Sequence, residues 1–246
     1  MNRKLLTVVA LSFFLNWGNT YAQEVVARYL RVASDYALVY NGELEEIYSP
    51  RIYKNQPYYQ TEEYTIGDLI IQNNHYKEQV LRLDLYRDRL IVVSPQKRTG
   101  IYLDGKNVQY VSLHNTSFLY LSSSNPYLLE EGYYQLIAEN PYFKILARKN
   151  YTLHYRNANY YAEDNVKDRR SAYFSYHRKY YLVNNTETIL LKKWSTFAKY
   201  FPDIRSELKT YVRRHRLSMK EEQQADAGLG ALARYAEELL KERRGL

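Results

Sequence analysis

The alternation between Glu78 and Val93 constrains this chain more than any other feature. Leu81, Leu83 and Leu85 fall on one side of an extended segment, and Arg82, Asp84 and Tyr86 on the other. Strand side chains point to opposite faces with a period of two. The pattern therefore predicts an antiparallel strand from Glu78 to Tyr86 with leucines inside and Arg82 and Asp84 in water. Turn residues bound it: Asn73-Asn74 before, where asparagine tolerates positive φ, and Arg87-Asp88 after. Asp68 to Gln72 and Arg89 to Val93 then read as its neighbours.

The period of two extends on both sides. Ala37 to Tyr40, the Asn41-Gly42 turn and Glu43 to Tyr48 predict a first hairpin. Pro50, Asn55 and Pro57 make Pro50 to Gln60 a loop. Ile101 to Leu103, Asp104-Gly105 and Val108 to Leu113 predict another hairpin. Ser117 to Leu121, Tyr133 to Ala138, Phe143 to Ala147, Tyr151 to Tyr155 and Tyr173 to Tyr176 continue the series. Lys179 to Val183 and Thr188 to Leu191, joined across Asn184-Asn185, close it. No long helical pattern interrupts the strands before residue 193, which argues against a parallel α/β sheet. The predicted fold is mainly β: an antiparallel sandwich, or a curved, partly closed sheet, with a C-terminal helical segment.

After Leu191 the period changes. Ser195 to Tyr200 predicts a short helix ending near Pro202. Asp203 is placed to cap a second, whose Ile204, Leu208, Tyr211, Val212 and His215 share a face. Ser218-Met219-Lys220-Glu221 reads as a capping box opening a third, with Gly228 and Gly230 as breaks. The stripe Leu232, Tyr235, Leu239 predicts docking onto the sheet, because short helices are marginal in water alone. Residues 193–246 are thus a helical segment packed on a β-rich domain of residues 23–192. An outer-membrane barrel needs strands of about 9–11 residues through to closure. The shorter runs and the charged helical ending disfavour it.

Residues 1–22 read as a secretory signal. Asn2, Arg3 and Lys4 form a basic head, Leu5 to Leu15 an apolar run, and Thr20-Tyr21-Ala22 a cleavage motif before Gln23. The run falls short of the roughly 20 apolar residues of a spanning helix, and no later segment approaches one. Mean hydropathy is −0.60. The chain has no cysteine, which removes thiolate zinc sites, thiol nucleophiles and disulfides. Net charge is +8, or +6 once Arg3 and Lys4 leave with the signal. The excess lies late, in Arg169-Arg170, His177-Arg178-Lys179, Lys192-Lys193 and Arg213-Arg214-His215-Arg216. It suits a solvated face, or an anionic glycan or lipid surface.

There are 29 tyrosines against 7 phenylalanines. Tyrosine suits a pleated surface and keeps its hydroxyl at a wet edge. A sugar-stacking platform is the alternative use. However, the adjacent pairs Tyr58-Tyr59, Tyr133-Tyr134, Tyr160-Tyr161 and Tyr180-Tyr181 point to opposite faces in a strand, which favours packing. Tyr176 to Tyr181 mixes bases with aromatics, as single-strand nucleic-acid binders do. Export argues against that partner.

No catalytic, cofactor or metal residue is assigned. His75, His114, His154, His177 and His215 are scattered and form no H-x-x-x-H or H-E-x-x-H motif. No G-x-S-x-G elbow or Gly-rich phosphate loop occurs. Candidate carboxylate pairs for glycan hydrolysis are Glu62-Glu63, Asp84 with Asp88, Glu130-Glu131 and Glu163-Asp164. Such a pair must face a cleft about 5–10 Å apart. Asp84 is the best single candidate, and an exposed cross-strand pair with Arg82 or Arg89 is its structural alternative.

The stretch Leu81 to Val93, with the signal ending in Ala-Gln, the early Tyr40-Asn41-Gly42 and the late Phe201-Pro202-Asp203 followed by Leu208, Tyr211 and Val212, resembles exported proteins of Bacteroidota that carry no assigned activity. The resemblance implies a Gram-negative envelope and transfers no catalytic residue. The expectation is a non-catalytic periplasmic or outer-membrane-associated protein that binds an envelope protein complex. A glycan- or lipid-binding module and a carboxylate-dependent hydrolase are the alternatives.

Overall fold

The computed structural model describes residues 39–95, 98–156 and 170–244, with Val25 and Arg28. The signal segment, Tyr160-Tyr161 and Glu163-Asp164 lie outside the described residues. The chain divides into two compact units, Met1–Asn41 and Gly42–Leu246. In the first, Val25, Arg28, Val39 and Tyr40 are helical. The predicted strand over Ala37 to Tyr40 is therefore not formed at Val39 and Tyr40, and Glu43 to Tyr48 finds another partner.

The second unit holds one antiparallel sheet of ten strands. In chain order they are β1 (Thr65–Ile71), β2 (Asn74–Asp84), β3 (Arg89–Val93), β4 (Gly100–Tyr102), β5 (Val108–Leu113), β6 (Thr116–Leu121), β7 (Gly132–Glu139), β8 (Lys144–Tyr155), β9 (Ala172–Val183) and β10 (Thr188–Leu190). Their order across the sheet is β10-β9-β8-β7-β6-β5-β1-β2-β3-β4. Of the two predicted architectures, the curved, partly closed sheet is the one formed. Four strands separate β2 from β8 in this order, yet the Tyr151 amide donates to the Leu85 carbonyl just past β2, at 3.2 Å. Arg148 of β8 holds Asp88, in the β2–β3 turn, with two hydrogen bonds of 2.8 Å. The sheet therefore curls back on itself.

The turns follow the sequence where local chemistry decides them. The β1–β2 turn falls at Gln72 and Asn73, both at positive φ and one residue before the predicted Asn73-Asn74, and Asp88 takes positive φ between β2 and β3 as predicted. Three predictions fail where tertiary partners decide. Ile101 to Leu113 is not a hairpin: β4 pairs with β3, and β5 with β1 and β6. Asp104 instead caps a 3₁₀ turn over Gly105–Asn107 by accepting from the Lys106 amide. The predicted breaks near Lys149 and His177 are absent, because β8 and β9 run as one twelve-residue ladder from Lys144↔Val183 to Tyr155↔Ala172. Lys149, at mid-β8, is buried, whereas His177 and Lys179, at mid-β9, are exposed.

Three helices follow: α1 (Trp194–Tyr200), α2 (Arg205–Arg214) and α3 (Glu222–Arg244). Asp203 lies in a 3₁₀ turn, Pro202–Ile204, and Ile204 is the N-cap of α2 with no side-chain cap. Ser218 accepts from the Lys220 amide, so the predicted capping box is replaced by a local turn, and α3 opens at Glu222. Gly228 and Gly230 do not break α3. Gly228 is a contact point instead, since a Cβ there would stand 2.9 Å from the Trp194 ring. As predicted, α3 docks on the sheet: Leu229, Leu232 and Ala236 pack with Phe197, Ile204 and Leu208 over Ile145, Ala147 and Leu182. Each buried leucine contributes about 1.5–3 kcal/mol.

Candidate functional site

The segment from Glu43 to Tyr64, read from sequence as a strand return and a loop, is a strap across the curled sheet. Glu45 N–H donates to Gly100 and Tyr102 N–H to Glu43, which fastens the strap to β4. Tyr59 N–H donates to Leu83 and Leu85 N–H to Pro57, which fastens it to the end of β2. Lys54 N–H donates to Ala172 and Ala172 N–H to Ile52, and the Asn55 amide bonds both backbone groups of Phe174 on β9. The strap thus crosses the outer face of β2, where Arg82 and Asp84 project.

Covered in this way, that face is not solvated. Asp84 is 0% exposed. Its carboxylate accepts from Tyr48 Oη at 2.7 Å and from the Tyr86 and Arg87 amides at 2.9 Å, with the Arg87 guanidinium 3.6 Å away. The exposed pair with Arg82 or Arg89 does not form. Burial pushes the Asp84 pKa up, against the pull of those donors. Arg82 pairs instead with Glu45, whose side chain is 2% exposed, and donates to the Glu62 carbonyl. Its guanidinium lies 3.9 Å and 4.1 Å from the ring centres of Tyr58 and Tyr64. Both tyrosines donate to Glu45. Burial, then the neighbouring carboxylate, raises the phenol pKa of Tyr48 and Tyr64. A buried carboxylate ringed by protonated phenols and an arginine is satisfied in place, which suits it to holding the strap.

A second buried cluster pins α3. Lys149 Nζ, on a side chain 1% exposed, meets Glu222 at 2.6 Å and Asp226 at 2.8 Å. Asp226 also accepts from Tyr180 Oη at 2.7 Å and from Gln135 at 3.2 Å. Burial alone would lower the Lys149 pKa, but its hydrogen bonds to the two carboxylates outweigh that and hold it above the ordinary value.

The remaining candidates disperse. Glu62 and Glu63 are exposed. Asp88 and Glu131, members of different predicted pairs, share a cleft of about 360 Å³ with Arg89 and Lys106. There Asp88 is held by Arg148 and the Tyr133 amide, and Glu131 accepts from Tyr120 Oη at 2.6 Å. Glu130 offers its carbonyl to Tyr134 Oη. Among the described residues no group of three metal-ligating side chains forms. Within the Tyr176 to Tyr181 stretch, Tyr180 bonds Asp226 and Arg178 donates to the Met219 and Lys220 carbonyls, while His177 and Lys179 are exposed. Both members of Tyr58-Tyr59 and Tyr133-Tyr134 are buried, in line with packing.

What the strap leaves outside is an edge. Leu44 faces Ile101 across the narrow type of antiparallel pair, because the bonds on either side run Glu45 N–H to Gly100 and Tyr102 N–H to Glu43. In such a pair the N–H and C=O of Leu44 point away from β4. Among the described residues neither takes a backbone partner. The Leu44 and Ile47 side chains are 63% and 75% exposed. Around them, Glu43 pairs with Arg89 at 2.5 Å, and Glu46 with Arg87. Sequence reasoning placed a strand at Glu43 to Tyr48 but paired it with Ala37 to Tyr40, so only the pairing with β4 shows which edge is left open.

No protein-family model, curated protein or solved structure matches the chain. Among the described residues no helix is long and apolar enough to cross a membrane.

Proposed function

We propose that this chain is a non-catalytic exported protein of a Gram-negative envelope. It acts as an accessory subunit by accepting an extended segment of an envelope partner along the Glu43–Glu45 edge. The outward backbone of Leu44 carries this reading. An unpaired N–H and C=O on a sheet edge is a template for an added strand. The solvent-facing side chains of Leu44 and Ile47 supply an apolar centre. The Glu43–Arg89 and Glu46–Arg87 pairs supply a polar rim whose charges cancel, which suits an uncharged, apolar strand. The buried Asp84 and Glu45 and the partly buried Asp226 support a structural role, since each is engaged by donors.

The test is recovery of the native complex under mild detergent. The unaltered chain should bring a stoichiometric partner. Leu44→Pro, which removes the outward N–H together with the exposed leucine side chain, should lose that partner while its thermal unfolding stays within a few degrees. Recovery of the unaltered chain alone at native abundance contradicts the proposal, as does equal partner recovery by Leu44→Pro.

A further inference from the structure

A groove of about 480 Å³ lies between the end of α2 and the first half of α3. Its floor is flat. Gly228 sits against the Trp194 ring, and Ala227 and Ala231 flank it on α3. One wall is Tyr211, whose ring stacks on Tyr235 at 4.5 Å and lies 4.2 Å from the His215 ring. Leu217 adds an apolar side chain near Gly228, and the polar lining groups are His215, Arg216, Ser218 and Gln224. Ser218 Oγ accepts from the Lys220 amide, which leaves its hydrogen to donate.

Arg216 occupies the position after the helix end in a left-handed conformation, φ +48°. The Leu217 amide closes the helix onto Val212 and the Arg216 amide bonds Arg213, a helix-ending motif that glycine enters without strain. An arginine here carries backbone strain and sets a guanidinium on the groove wall. Arg213, Arg214 and Lys220 are also exposed nearby, and Glu221 is the adjacent acid. The local field is positive, and the basic run Arg213–Arg216 gains a definite place in the fold.

We propose that this groove binds a sugar carrying an anionic group, a carboxylate or a phosphate. The apolar face of a pyranose would rest on Ala227, Gly228 and Ala231 beside Tyr211. Gln224 and Ser218 would bond ring hydroxyls, and Arg216 with His215 would hold the anion. The groove is separate from the Leu44 edge, so this proposal stands or falls independently of the partner-strand reading.

Titration of the full chain with tri-galacturonate, and flotation with phosphatidylcholine vesicles with and without a phosphorylated glycolipid, would test it. Binding of the trisaccharide assigns a soluble acidic glycan. Selective flotation on glycolipid vesicles assigns a lipid-borne source. Arg216→Gly should retain or raise the unfolding temperature, because glycine suits the conformation, and should weaken binding at least tenfold. Gln224→Ala should weaken it several-fold, and Arg213→Gln less than twofold. Failure of both probes overturns the proposal. So does an equal loss for Arg213→Gln and Arg216→Gly, which would mean diffuse charge attraction and no defined groove.

Discussion

The two covers of the sheet are built on opposite principles. Over β7 to β9 the helices bury alanine, leucine and phenylalanine, and one polar cluster around Lys149 fixes the position of α3. Over β2 to β4 the strap buries few aliphatic side chains. It is held by tyrosine rings, two arginines and the carboxylates of Glu45 and Asp84. The helical cover draws its stability mainly from buried apolar area. The strap draws its placement from hydrogen bonds, and buried ion pairs give position more readily than net stability. The difference suits a strap that must hold one edge, at Leu44, in a fixed register.

Removing one partner of a buried pair leaves the other charged and unpaired. Glu45→Ala should therefore cost the most, about 3–5 kcal/mol in urea unfolding. Replacing Glu45 and Arg82 together by leucine and methionine should cost less than either single change. Costs that simply add would erase the contrast drawn here.

Lys149→Met should follow, at about 3 kcal/mol, since Glu222 and Asp226 keep some access to water. Its pH dependence has a definite sign. The folded pKa of Lys149 lies above its ordinary 10.5, so the contribution is complete below that value and is lost as pH rises through the folded pKa. Unfolding from pH 8 to 12 should show a late loss in the unaltered chain that Lys149→Met lacks.

Gly228→Val should cost about 2 kcal/mol by overpacking against Trp194, read as a lowered midpoint of thermal unfolding. A neutral result would place α3 farther from α1.

Asp84→Asn should have the smallest effect near pH 4, about 1 kcal/mol for altered hydrogen bonds. Burial raises the folded pKa of Asp84 above its ordinary 3.8. Its contribution is then complete in acid and is lost as pH rises through the folded pKa. The unaltered chain should lose stability relative to Asp84→Asn as pH rises from the ordinary 3.8 through the raised folded pKa. The opposite slope would mean that the hydrogen bonds from Tyr48, Tyr86 and Arg87 outweigh burial.

Strand identity and most turns were legible because they depend on neighbours in sequence. Leu81, Leu83 and Leu85 declared their face, Asn73 and Asp88 their turns, and Leu232 its docking stripe. The fate of Arg82 and Asp84 was not legible, since their exposure depends on a strap some forty residues earlier. Lys149 was hidden for a related reason: a charged residue inside a strand breaks the apolar pattern unless α3 is known to bring Asp226 to it. Gly228 read as a helix break because its partner, Trp194, is distant in sequence. The groove beside Arg216 was legible only as a run of basic residues.

Residue-resolved amide exchange of the chain, alone and within the complex recovered from its source membrane, tests the edge directly. The Glu45 amide, bonded to Gly100 of β4, and the Tyr102 amide, bonded to Glu43 of the strap, should be protected in both states. The Leu44 amide should exchange freely in the isolated chain and become protected when the partner is present. Free exchange of Leu44 inside the intact complex would contradict strand addition at this edge.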